Sequence, residues 1–184
     1  NLASLIMTLI YDAKLGTFTH LEKRGGCLSL KMHQSVPTAL SPEKEIISSR
    51  TFRWPKEKVF SAWSSRELLQ KWWGPKGFTN TIHIFDFLPG GHWKLTMHGP
   101  EKGNYENESV FQTIVPGELI YWHRLTQPYF NVVVTFETVE NDHTKLVFRM
   151  IFPSEEAREK VIKFIPAANE ENFDRLEEVL KQMP

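Results

Sequence analysis

Residues 89–105 read Pro89-Gly90-Gly91-His92-Trp93-Lys94-Leu95-Thr96-Met97-His98-Gly99-Pro100-Glu101-Lys102-Gly103-Asn104-Tyr105. Between two turns lies one strand. Trp93, Leu95 and Met97 alternate with His92, Lys94, Thr96 and His98, the period of two by which a strand sends successive side chains to opposite faces. Pro89-Gly90-Gly91 and Gly99–Gly103 are residue clusters that reverse a chain. An apolar face, a polar face and short connections specify an antiparallel sheet buried on one side.

The same punctuation repeats outward. Phe78–Leu88 precedes the first turn, and Tyr105–Val115 follows the second. Pro116-Gly117 leads to Leu119–Leu125, Pro128 opens Phe130–Val139, and Asn141-Asp142 turns into Thr144–Phe152. There Leu146, Phe148 and Met150 alternate with Lys145, Val147 and Arg149. Upstream, Ile46–Trp54 reads as another strand. Lys56–Ser64, with Val59, Phe60 and Trp63 at helical spacing, and Glu67–Trp73 read as two short helices ended by Gly74-Pro75. The chain closes on a helix over Ser154–Met183, kinked or broken at Pro166, with Phe173, Leu176 and Leu180 as its apolar stripe. The class is α+β: a curved antiparallel sheet packed by a long C-terminal helix.

Residues 1–40 differ from 41–184. They contain none of the six Trp, the lone Cys27, and four basic against two acidic residues. The apolar run Leu2–Ile10 is far short of the roughly 20 residues that span a bilayer, and it lacks the basic flank of a secretory signal. We expect an extension accessory to the fold, with Thr8–Tyr11 and Leu28–Met32 pairing as edge strands and Gly25-Gly26 as a turn.

Composition excludes several functions. The 184 residues balance 22 Lys+Arg against 22 Asp+Glu, which argues against binding nucleic acid through phosphate neutralisation. One cysteine permits no internal disulfide and no multi-cysteine metal cage, in keeping with a reducing, cytoplasmic setting. The seven histidines show no short-spaced ligand pair, so no metal site and no cofactor are expected. Ser109 has no nucleophile-elbow glycines around it. Glu106 and Glu108 share a strand face and read as solvated. Asp86 reads either as a buried acid beside Phe85 and Phe87 or as a surface carboxylate near a turn.

The segment Arg50-Thr51-Phe52-Arg53-Trp54-Pro55, followed by Val59-Phe60 and Ala62-Trp63, resembles the opening of START-like (SRPBCC, birch-pollen-allergen-like) domains. More narrowly, it is similar to the family named after the activator of the 90-kDa heat-shock chaperone's ATPase. Lys71-Trp72-Trp73-Gly74-Pro75, Met97-His98-Gly99-Pro100, Asn107–Phe111, Pro116–Ile120 and Ala168-Asn169-Glu170 agree in order, covering residues 44–182. The resemblance implies a helix-grip fold, seven antiparallel strands wrapped on the C-terminal helix with a cavity between. It implies a binder of small molecules, and the superfamily includes lipid carriers, hormone receptors and cyclase-type enzymes. The chaperone activator carries an added N-terminal domain for which residues 1–40 are too short.

Three functions follow as expectations. The first is a protein holding a small hydrophobic or aromatic molecule, with Trp93, Met97, Phe111, Trp122 and Phe130 as walls and His98, Tyr105 and His123 as polar anchors. The same residues also read as plain core or as satisfied strand histidines. The second is a cyclase or hydrolase on a polyketide-like substrate, with His98 or His123 as general base. The third is a chaperone-interaction module. Trp63, Trp72 and Phe60 read as cement between helix and sheet, with an exposed docking patch at Lys71–Lys76 as the rival reading. A homodimer stays open, while no membrane and no nucleic-acid partner is expected. The break at Pro166 and the loop Gly99–Gly103 are the expected gate.

Overall fold

The computed structural model describes residues 36–38 and 41–184 in full, and residues 17–24 and 27–34 as strands. The chain divides into two units, one ending at Ala39 and one spanning Leu40–Pro184. In the first, β1 (Thr17–Arg24) and β2 (Cys27–Gln34) pair antiparallel, with Thr17 opposite Gln34 and Arg24 opposite Cys27. The Leu28–Met32 patch therefore lies in a strand, but its partner is β1. Thr8–Tyr11 and Gly25-Gly26 lie outside the described residues.

In the second unit, β3 (Glu45–Phe52) is followed by α1 (Lys56–Ser64) and α2 (Arg66–Trp72). The strands β4 (Thr79–Phe85), β5 (His92–His98), β6 (Asn104–Val115), β7 (Leu119–Arg124), β8 (Asn131–Val139) and β9 (His143–Ile151) come next. They form a seven-stranded sheet in the order β3-β9-β8-β7-β6-β5-β4, every neighbouring pair antiparallel. Two helices end the chain, α3 (Glu155–Glu159) and α4 (Ile165–Gln182). The one helix expected over Ser154–Met183 is thus two. Pro166 stands in the first turn of α4, where a missing N–H removes no helical hydrogen bond, so the interruption precedes the proline rather than falling on it.

Local chemistry sets these boundaries. Ser65 joins α1 to α2, and its hydroxyl accepts from Leu68 N, satisfying one of the free amides at a helix start. Ser154 does the same for Ala157 N. A bulge between Ile82 and Ile84 shifts the pairing of β4 with β5. Ile82 therefore faces the core while Ile84 is exposed, and Phe85 falls opposite Trp93. Asp86, beyond the strand end, is exposed, as the surface reading expected.

The core lies between the inner sheet face and α1, α2 and α4. Val59, Ala62 and Trp63 face inward from α1, and Leu69 and Trp72 from α2. From α4 come Phe173, Leu176 and Leu180, all buried. Each such side chain contributes about 1.5–3 kcal/mol by leaving water. Phe173 meets Phe52 edge to face at 6.0 Å. Arg50 on β3 bonds Glu170 and Asp174 at 2.5 and 2.6 Å, fixing α4 across the strand. The Trp72 indole N–H donates to Ala62 O at 3.0 Å and joins α2 to α1, while Trp63 packs on the sheet against Trp122, Phe136 and Phe148; Trp72 is buried, so no exposed patch forms there.

Candidate functional site

Where the inner sheet face meets α4, packing is incomplete and leaves a cavity of about 90 Å³. Alternation decides which side chains reach it. On β5, Trp93 and Leu95 point inward; on β9, Phe148 and Met150 do. Trp122 and Val132 extend the apolar floor across β7 and β8. Trp73, just beyond α2, and Phe130, just before β8, close the sides. The indoles touch one another, Trp73 lying 4.8 Å from Trp93 and 6.2 Å from Trp122, and Trp93 5.9 Å from Trp122.

The polar part of the wall comes from β6, the end of β7 and the first turns of α4. Asn107 lies opposite Leu95, and Ser109 lies between Trp93 and Arg124, so all share the inward face. The Asn107 amide donates to Tyr105 O at 2.8 Å. On α4, Asn169 donates to Ser48 Oγ at 3.1 Å. Two residues of this wall carry a buried atom, Trp93 Nε1 and Asn172 Oδ1, that has no hydrogen-bond partner among the described residues. An unpaired buried donor or acceptor costs roughly 1–3 kcal/mol.

Arg124 is the charged residue of the wall. Its Nε donates to Thr126 O at 3.1 Å and one terminal nitrogen to Gln127 O at 3.3 Å. The guanidinium lies 5.2 Å from the centre of the Phe130 ring. Burial pushes its pKa down to about 10.

Of the residues expected at the site, Trp93, Trp122 and Phe130 line the cavity. Met97 and Phe111 share the inner face but pack elsewhere. Met97 abuts Gly74, and Phe111 lies parallel to Trp93 at 6.2 Å and edge-on to Phe87 at 5.2 Å. Tyr105 is 55% exposed and folds over the hairpin turn, in space left by Gly99 and Gly103 and 6.0 Å from Phe78.

The two histidine anchors require correction. His98 follows Met97 and His123 follows Trp122, so each points to the outer face of the sheet while its neighbour points to the inner one. On that outer face His98 lies 2.9 Å from Thr81 Oγ1 and 2.7 Å from Asn104 Oδ1. His123 Nε2 lies 2.6 Å from Tyr121 Oη, and burial lowers its pKa. The sequence reading missed Trp73, Arg124 and the asparagines of α4. Arg124 was within reach, being two residues beyond Trp122 on one strand. Glu106 and Glu108 face outward too, Glu108 bonding His92 and Lys94 at 3.0 Å.

Among the described residues, no group of three or more His, Cys, Asp or Glu could hold a metal ion, and no helix is long and apolar enough to cross a membrane.

Comparison with known proteins places this geometry. The model of a family described as Activator of Hsp90 ATPase homolog 1-like protein matches residues 53–181. A crystal structure of a Nitrosomonas europaea protein, 20% identical, superposes with a TM-score of 0.72 over 79% of this chain and 99% of that one. For a Rhodobacter sphaeroides protein the values are 22%, 0.72, 79% and 98%. For a solution structure from Staphylococcus epidermidis they are 24%, 0.69, 79% and 94%. At such identities these likenesses speak to the fold alone. No curated protein matches the sequence.

Proposed function

The chain belongs to the family of Activator of Hsp90 ATPase homolog 1-like proteins, and from that membership we propose that it binds a small hydrophobic or aromatic molecule between its sheet and α4. One observation supports this above the rest. The cavity has touching indole walls, and two of its lining residues carry buried polar atoms, Trp93 Nε1 and Asn172 Oδ1, that no described residue satisfies. Apolar walls with a few convergent polar groups are what small-molecule sites are made of. In this reading residues 41–184 hold the site and residues 1–40 are accessory.

The size of the cavity constrains the occupant. About 90 Å³ is less than the roughly 150 Å³ void that takes a benzene ring. A larger molecule therefore needs a wall to move, and we assign that movement to the start of α4, which supplies Asn169 and Asn172. The loop Gly99–Gly103 gives no residue to the wall, so the gate expected there moves to the break before α4.

A catalytic reading needs a base within hydrogen-bond reach of the substrate. The wall residues include no His, Asp, Glu, Cys or Tyr, so binding is favoured over a cyclase or hydrolase. The test is native mass spectrometry of protein purified from its own host, beside Ser109→Leu, whose larger side chain fills the void. A retained small molecule, absent from S109L, is the expected result. A wild-type protein that carries nothing and takes up no aromatic probe would overturn the proposal.

A further inference from the structure

We propose that the occupant of the cavity is a carboxylate-bearing molecule whose anionic end pairs with Arg124. This rests on the cavity being a binding site, and it adds the chemical class of the ligand.

The contrast among the arginines of the fold carries the argument. Arg50 meets Glu170, Asp174 and Glu177, Arg149 meets Glu45, and Arg158 meets Glu159. Arg175 has no carboxylate but donates to four backbone carbonyls, those of Lys71, Trp73, Gly74 and Pro75. Arg53 and Arg66, the latter donating to Ile82 O, likewise make no ion pair among the described residues, but neither lines the cavity. Arg124 has neither arrangement and does line it. Among the described residues it makes no ion pair, and its two hydrogen bonds, to Thr126 O and Gln127 O, use only Nε and one terminal nitrogen. The other terminal nitrogen has no partner among the described residues.

Position turns this deficit into a site. Arg124 lies on the cavity wall with Trp93, whose indole N–H is buried and has no partner among the described residues. No Asp or Glu is on that wall. A planar guanidinium with free N–H groups is shaped for a carboxylate, and such charge-assisted bonds are about twice as strong as neutral ones. The loop carbonyls of Thr126 and Gln127 hold the fork in place, and the Phe130 ring beneath it limits its rotation. Although burial lowers its pKa to about 10, Arg124 keeps its charge at neutral pH. The ligand so specified has an apolar body against the indoles and one carboxylate at the β7 end.

Phenylacetate and phenylacetamide test this directly, because they share shape and differ in charge. Binding is followed at pH 7 through the Trp93 indole N–H signal in NMR. Wild type is expected to bind phenylacetate about tenfold more tightly than the amide, and Arg124→Gln to bind both equally. Should R124Q not fold, Asn172→Asp places a carboxylate on the same wall and is expected to abolish the preference. Equal affinity of wild type for both probes overturns the anion assignment while leaving the binding site standing. So does a preference that persists in the variants. If neither probe moves the Trp93 signal, the cavity reading itself falls.

Discussion

Arg149 donates from Nε to Glu45 Oε2 and from a terminal nitrogen to Glu45 Oε1, both at 2.6 Å. This two-pronged pair ties β9 to the start of β3 on the sheet face away from the cavity, and both side chains are buried. The Arg158 Nε donates to Glu45 O at 2.9 Å, drawing α3 onto the same point. Removing one member of a buried pair costs on the order of 3 kcal/mol. Glu45→Gln should therefore lower the free energy of urea unfolding at pH 7 by about that amount. A loss below about 0.5 kcal/mol, the range of ordinary surface changes, would show that the pair contributes little.

The same pair dictates an acid dependence. The hydrogen bond from Arg149 holds the Glu45 carboxyl below its ordinary range, with the Ser41 amide and the Arg149 charge acting in the same direction and burial against them. A carboxylate whose folded pKa is depressed stabilises the fold fully above its unfolded pKa, about 4.3, and that stability is lost as pH falls through the folded value. Wild-type stability should drop more steeply than that of E45Q below about pH 4.3. Parallel curves for the two proteins would contradict this.

Arg175 joins α4 to the chain leaving α2. Its shortest bond is to Gly74 O at 2.6 Å, with others to Lys71 O at 2.9 Å and Pro75 O at 3.0 Å. Trp73, the side wall of the cavity, stands in this stretch. Arg175→Met should cost about 2 kcal/mol, the scale of charge-assisted hydrogen bonds, and shift tryptophan emission to the red as Trp73 gains water. Unchanged emission would mean that the wall does not depend on the clamp.

Gly91 answers to space rather than to backbone conformation. A Cβ built there would lie 2.0 Å from Asp86 O, a backbone atom that cannot swing aside. The turn before β5 therefore needs a residue without a side chain, as Pro89-Gly90-Gly91 indicated. Gly91→Ala should destabilise by about 1–3 kcal/mol, the usual cost of overpacking. Gly90→Ala is the comparison, since nothing lies within 4 Å of a Cβ there and the cost should come from its φ of +80° alone. Equal wild-type stability of G91A would refute the contact.

Periodicity made most of this fold readable. The period of two, broken by Gly and Pro, marked every strand of the large sheet to within three residues, and β5 and α1 to the residue. The bulge at Ile82/Ile84 was not legible, because Thr81-Ile82-His83-Ile84 keeps the ordinary alternation straight through it. The break before α4 was blurred because Pro166 is compatible with both a kink and a first turn. At the site, residue chemistry alone does not single out the cavity side chains, because alternation along each strand decides which of them face inward. Adjacent residues such as Met97 and His98, or Trp122 and His123, cannot both face one cavity. Asn172 carries no signal and Asn169 only its place in the Ala168-Asn169-Glu170 match, since it is the packing of α4 that sets Asn169 against Ser48 on β3 and Met150 on β9.

His123 offers a prediction that separates its own chemistry from that of the cavity. Burial beside Tyr121 holds its imidazole pKa below the ordinary value of 6.5. Folded protein therefore binds fewer protons at this site than unfolded protein, so stability is present above the unfolded pKa and declines as pH falls through the folded one. A titration of the His123 ring by NMR should place its midpoint below 6.5. His123→Gln should flatten the stability curve below about pH 6.5, because the residue that takes up the proton on unfolding is gone. Facing away from the cavity, the same substitution should leave phenylacetate affinity within about twofold of wild type. A loss on the scale expected for R124Q would place the imidazole at the ligand and contradict the strand register that pairs His123 with Val110.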